Sequence, residues 1–177
     1  MKNINITYGG LLLFGIVVGC SVDKAPAVKK EAPQINSAPY LLAAEPEDGL
    51  GVSAARKAVK DQDAVVVIGR IGGSLNPWVD HRVAFQIVDP SLPSCSDCKE
   101  GESCSCKTPW DYCCETDKLP DAMALVQFVD EKGDVIKQDA RAFFGVTELQ
   151  TVMVQGVAER DDAGNLTILA DKLFVKE

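Results

Sequence analysis

Histidine is all but missing from this chain of 177 residues: there is one, His81. No Ser/His/Asp order and no HExxH motif is present around which a hydrolase could be built, so the sequence reads as a non-enzyme. Basic clusters are scarce as well. The first nineteen positions carry only Lys2, which leaves 17 basic against 26 acidic residues in the remainder. That balance disfavours contact with phosphate backbones and excludes nucleic acid as the expected partner. Long apolar runs are also lacking: GGLLLFGIVVG at 9–19 is too short to cross a bilayer. Beyond residue 50 there is no cysteine outside the twenty positions 95–114, so most of the domain must fold without disulfides.

What is present begins with the cysteines, which divide into one and six. Cys20 closes the apolar run, and Val17, Val18, Gly19, Cys20 has the form of a bacterial lipobox. The chemistry needs a thiol there because diacylglycerol is attached through sulfur, and a small neighbour because the peptidase must reach the backbone. Residues 1–19 are thus expected to be a lipoprotein signal peptide and Cys20 the lipidated first mature residue. Two or three acyl chains, palmitate among them, would hold the protein to a membrane where a single chain holds only marginally. Ser21 in place of Asp accompanies outer-membrane sorting in many Gram-negative lipoproteins. The expected location is the bacterial cell envelope, lipid-anchored, with the domain exported from the cytoplasm.

Residues 20–49 are rich in Pro, Ala, Lys and Glu, and Pro26, Pro33 and Pro39 would keep them extended as a tether. In a second reading, Tyr40, Leu41 and Leu42 dock on the domain. Residues 50–177 are long enough for one domain with one adequate core. Within them, 53–63 (SAARKAVKDQD) has helical spacing with Ser53 as N-cap. The β-branched run 64–71 (AVVVIGRI) predicts a buried strand, and 82–88 (RVAFQIV) a second. A cysteine-rich insertion over 90–120 follows. Then come a strand at 122–129, a turn at 130–134 with a brief extension at Val135 and Ile136, and a short helix within 140–149 interrupted at Gly145. Strands at 151–158 and 166–175 are joined by a hairpin using Gly164 and Asn165.

This order predicts a mainly β fold: a small five-stranded OB-fold-like barrel with short helices and a Cys-rich loop insertion. Gly69 and Gly156 are the expected backbone kinks. The segments GRIGGSLNPWV, TPWDYCCE and TVMVQGVAERDDAGNLTILADKLFV resemble OB-fold-like lipoproteins of planctomycete-type bacteria over about 64–175. The resemblance implies that fold and that anchoring, but no activity, since none is assigned to the group.

Three chemistries compete for Cys95, Cys98, Cys104, Cys106, Cys113 and Cys114. Three disulfides would staple a loop otherwise costly to order, in any of 15 pairings. Bound Zn or Cu is the second reading, because closely spaced thiolates in C-x-C and C-C pairs suit soft metals, with His81 within reach as a further ligand. Redox catalysis at Cys95 and Cys98 is the third, and it lacks the helix and βαβ context that makes C-x-x-C convincing. Asp97 inside that motif would raise a thiol pKa. Beside the cluster, Trp78, His81, Trp110 and Tyr112 are possible ligand contacts, as stacking rings at the mouth of a barrel. The alternative is that both tryptophans pack on the core or under the insertion. The resulting expectation is a membrane-anchored ligand-binding or scaffolding module with a disulfide-stapled loop and no cofactor, its partner an envelope protein or small ligand. The alternative is a metal-binding or thiol-redox protein that uses the same loop.

Overall fold

The alternation of apolar residues along the strands is where this fold starts. The computed structural model describes residues 35–97 and 106–176; the signal segment, Cys20, Cys98 and Cys104 lie outside the described residues. The described chain is mainly β, with a six-stranded sheet and three short helices. In order they are β1 (Leu50–Gly51), α1 (Val52–Ala58), β2 (Ala64–Ile71), β3 (Ala84–Val88), α2 (Leu119–Ala122), β4 (Met123–Phe128), α3 (Ala140–Phe144), β5 (Thr151–Arg160) and β6 (Leu166–Val175).

The sheet order is β1-β2-β3-β4-β6-β5, and β2 pairs also with β5. All pairings among these strands are antiparallel except β1 with β2 and β4 with β6. The sequence predicts five strands. The sixth, β1, pairs only Leu50 with Val67 and Gly51 with Ile68, too short a run to show periodicity in sequence.

The run 64–71 reads as buried throughout but alternates in the fold: Val65, Val67 and Ile71 point into the core, while Val66 and Ile68 are half-buried. Val65, Val67 and Ile71 meet Phe85, Ile87, Val126, Phe128, Val154 and Ile168 in one cluster. Each such side chain contributes about 1.5–3 kcal/mol by leaving water. In β6 the alternation breaks at Asp171, because Gln155 pairs with Lys172 while Gly156 pairs with Ala170. Asp171 is the extra residue of a bulge, and Leu173 rather than Lys172 then turns inward. Gly156 is the kink expected there: a Cβ on it would lie 2.2 Å from the Leu169 carbonyl oxygen.

Two local expectations meet different outcomes. The helix expected at 53–63 is α1, Val52–Ala58, and its N-cap is Gly51, not Ser53. The Ser53 N–H donates instead to Asp89 Oδ2 (2.7 Å), a cap supplied from the end of β3. A Cβ on Gly51 would stand 2.8 Å from that oxygen, so the close approach needs glycine. The helix within 140–149 does stop at Gly145, whose φ of 70° serves as its C-cap, and the Asp139 carboxylate accepts the Ala142 N–H at its start.

Residues 38–42 dock, as in the second of the two readings for the tether. Tyr40 sits edge-on to Phe128 and Phe143, with ring centroids 6.3 and 5.8 Å apart, and the Leu42 N–H donates to the Leu173 carbonyl (2.8 Å). A second, smaller core of Val88, Leu92, Tyr112 and Ala122, flanked by Leu119 and Met123, lies where β3 leaves the sheet. It forms the floor of the cysteine loop.

Candidate metal centre

The loop that carries the cysteines is tied down before any sulfur is considered. Arg70 at the end of β2 forms an ion pair with Asp97, whose carboxylate also accepts the Ser94 N–H (2.9 Å). The Cys95 N–H donates to the Pro109 carbonyl (3.1 Å), joining the two arms of the loop. The Gly73 N–H reaches the Trp110 carbonyl (2.8 Å); Gly73 has φ of 100°, and a Cβ there would meet Met123 Sδ at 2.6 Å. Asp111 accepts from Thr108 Oγ1 (2.8 Å) and from the Cys113 N–H (2.9 Å), the turn its position two residues before Cys113 favours. Tyr112, between them, is wholly buried yet left-handed, with φ of 55°. Burial of its ring holds that conformation, which for a residue with a Cβ costs about 1–2 kcal/mol.

This frame brings Cys95, Cys106, Cys113 and Cys114 together. Their four sulfurs all lie within 4.8 Å of one another. Cys113 Sγ is 3.4 Å from that of Cys95, 3.5 Å from that of Cys106 and 4.0 Å from that of Cys114. A disulfide would require about 2.05 Å, so the expected staple is not formed among these four. Four thiolates around one zinc at Zn–S of about 2.3 Å stand about 3.8 Å apart along each tetrahedral edge. Three of the spacings, 3.4, 3.5 and 4.0 Å, bracket that figure, and the whole set lies within 4.8 Å. A cluster of several irons would place more than one metal between the thiolates and spread them further.

The protons are unequally held. Burial would push the Cys95 thiol up, but hydrogen bonds with the Cys114 backbone and with the thiols of Cys113, Cys114 and Cys106 keep it below the ordinary thiol value. Cys113 is raised by its hydrogen bonds with Cys95 and Cys106, and Cys114 by its hydrogen bond with Cys95. Deprotonation is thus favoured at Cys95 and resisted at Cys113 and Cys114, whose protons are held in hydrogen bonds to neighbouring sulfurs. A divalent cation removes that resistance, and binding it releases the protons.

The other residues singled out in the sequence are placed differently. Trp78 is 6 % exposed, tilted against Phe85 at 5.8 Å, and its Nε1 donates to Glu148 Oε1 (2.6 Å). Tyr112 is floor, and burial raises its phenol pKa against the opposing Arg70 guanidinium. Both side chains are packed among core residues, the placement that the packed alternative describes for Trp78. Trp110 is half-buried with Nε1 on the Leu75 carbonyl (3.2 Å), and His81 is exposed in a left-handed turn outside the group of converging ligands. Burial would raise the pKa of Asp97, but hydrogen bonds from Arg70 and Ser94 lower it. Cys95 lies in a turn, not at a helix N-terminus, which removes the local basis for thioredoxin-like chemistry. Arg70 and Asp111, which position the cysteines, escape the sequence reading; the T-x-x-D-x-C pattern at 108–113 is the signal that could have found Asp111.

A separate cavity of about 1050 Å³ opens on β2, β5 and β6, lined by Val66, Val157 and Leu169 together with Asp48, Asp63 and Asp171. It shares no residue with the cysteine group. The sequence matches no family model and none of the curated proteins.

Proposed function

We propose that this chain is a lipid-anchored cell-envelope protein whose β-barrel presents a zinc-binding loop, with Cys95, Cys106, Cys113 and Cys114 as ligands. The observation that carries this reading is the mutual approach of four sulfurs within 4.8 Å, the donor set and spacing of a tetrahedral four-thiolate site. Zinc is favoured over copper because four sulfur donors suit its tetrahedral preference, and zinc undergoes no redox chemistry that would oxidise its ligands. An OB-type barrel is supported by the ring of pairings β2-β3-β4-β6-β5-β2, by the parallel pairing of β4 with β6, and by α3 standing between β4 and β5. The anchor rests on Val17 to Cys20 and on the resemblance to planctomycete-type lipoproteins.

Bound-metal analysis and thiol counting on the full chain, purified from the envelope, test the reading. One zinc per chain is expected, lost in Cys95→Ser. Metal-free protein with oxidised cysteines would return the loop to the disulfide reading, and bound copper would replace the metal.

A further inference from the structure

A structural zinc site is closed: its ligands are packed, and the fold depends on the ion. The cysteine loop departs from this in two respects. Its four ligands are unequally covered, with Cys95 buried, Cys106 half-buried, and Cys113 and Cys114 exposed. The loop is also organised by contacts that use no sulfur. Val88, Leu92, Tyr112 and Ala122 form its floor; the Arg70–Asp97 ion pair holds one arm, and the Cys95 N–H to Pro109 and Gly73 N–H to Trp110 bonds hold the other. An ion bound here finds its ligands already gathered, and its departure leaves the floor in place.

Resting on the zinc reading above, we infer that the site exchanges its metal: it takes Zn(II) from, or passes it to, a thiol-bearing partner through the outward pair Cys113 and Cys114. Their adjacency places two ligands on one short stretch of backbone turned outward by Tyr112, while Cys95 holds the ion from beneath. The step is ligand substitution without change of oxidation state. An incoming thiol gives up its proton as its sulfur bonds to zinc, the zinc–sulfur bond to Cys114 breaks, and the Cys114 thiolate takes up the proton. Repetition at Cys113, then at Cys106 and Cys95, completes the transfer. The partner's chemistry is therefore a set of four accessible thiols, one for each thiolate displaced, on one chain or supplied as two dithiols.

The test uses the zinc-loaded full chain in detergent, mixed rapidly with dithiothreitol as acceptor and, separately, with a chromogenic zinc chelator, while zinc release is followed in time. Direct attack on an accessible ion makes the release rate rise in proportion to acceptor concentration, so that doubling the acceptor doubles the rate. Circular dichroism and protease resistance of the loop are expected to be unchanged after the metal has left. A release rate independent of acceptor concentration, or a loop that becomes protease-sensitive without metal, overturns the exchange role and leaves a structural zinc site. Failure to load zinc at all overturns the zinc reading itself, a result distinct from either.

Discussion

Asp89 shows how one side chain joins two parts of this fold. Its carboxylate accepts from the Ser53 N–H (2.7 Å), the Ser91 N–H (2.9 Å) and Ser91 Oγ (2.6 Å), so it caps α1 and closes the start of the cysteine loop together. Burial pushes its pKa up, but those donors outweigh burial and hold it below the ordinary value of 3.8. A carboxylate with a depressed folded pKa contributes stability that is complete above the unfolded value and is lost as pH falls through the folded one. Asp89→Asn should therefore cost about 1–3 kcal/mol near neutral pH by leaving buried donors poorly matched. The difference from wild type should narrow as pH falls below the ordinary value of 3.8, and urea unfolding at neutral and at acid pH measures both. A gap that stays constant with pH would remove the ionised carboxylate from the account.

At the scale of elements, the β5–β6 hairpin carries the clearest test of register. Ile168 and Val154 are fully buried, and Ile168→Ala should cost about 2–5 kcal/mol through lost burial and a residual cavity. Gly156→Ala is a different kind of change. The added Cβ would lie 2.2 Å from the Leu169 carbonyl oxygen and 2.8 Å from Ala170 Cα, both backbone atoms that cannot rotate away. A loss of about 1–3 kcal/mol is expected from overpacking against the bulge, read from denaturant midpoints at unchanged slope. Wild-type stability in Gly156→Ala would mean that the bulge is not held where the pairing places it.

For the whole molecule, the principal core among the described residues contains no cysteine. Reductant and chelator together should leave the β-sheet circular dichroism intact while emptying the loop of metal, because the sheet buries enough apolar surface to fold by itself. Collapse of the sheet under those conditions would show that the cysteines organise the entire domain. Anchoring is tested separately: Cys20→Ala should abolish incorporation of labelled fatty acid and leave the signal segment uncleaved. Equal labelling of the variant would remove the lipoprotein reading.

Local signals were enough for most of the elements. β-branched runs, the hairpin at Gly164 and Asn165, and the stop at Gly145 mark strands and helix ends wherever burial repeats with the period of the backbone. The grouping of the cysteines was legible too, as spacing within one loop. Tertiary structure decided what depends on residues far apart in sequence. The β2–β5 pairing joins Ala64 to Val157, the cap of α1 comes from Asp89, and the bulge at Asp171 turns Leu173 inward. It also sent Trp78 and Tyr112 into cores, since an aromatic in a loop carries no periodicity to say which way it faces. Convergence of Cys95 with Cys106, Cys113 and Cys114 belongs to the same class. Spacing can bring thiols near one another, but only the Arg70–Asp97 pair, the Gly73–Trp110 hydrogen bond and the floor around Tyr112 fix where their sulfurs meet.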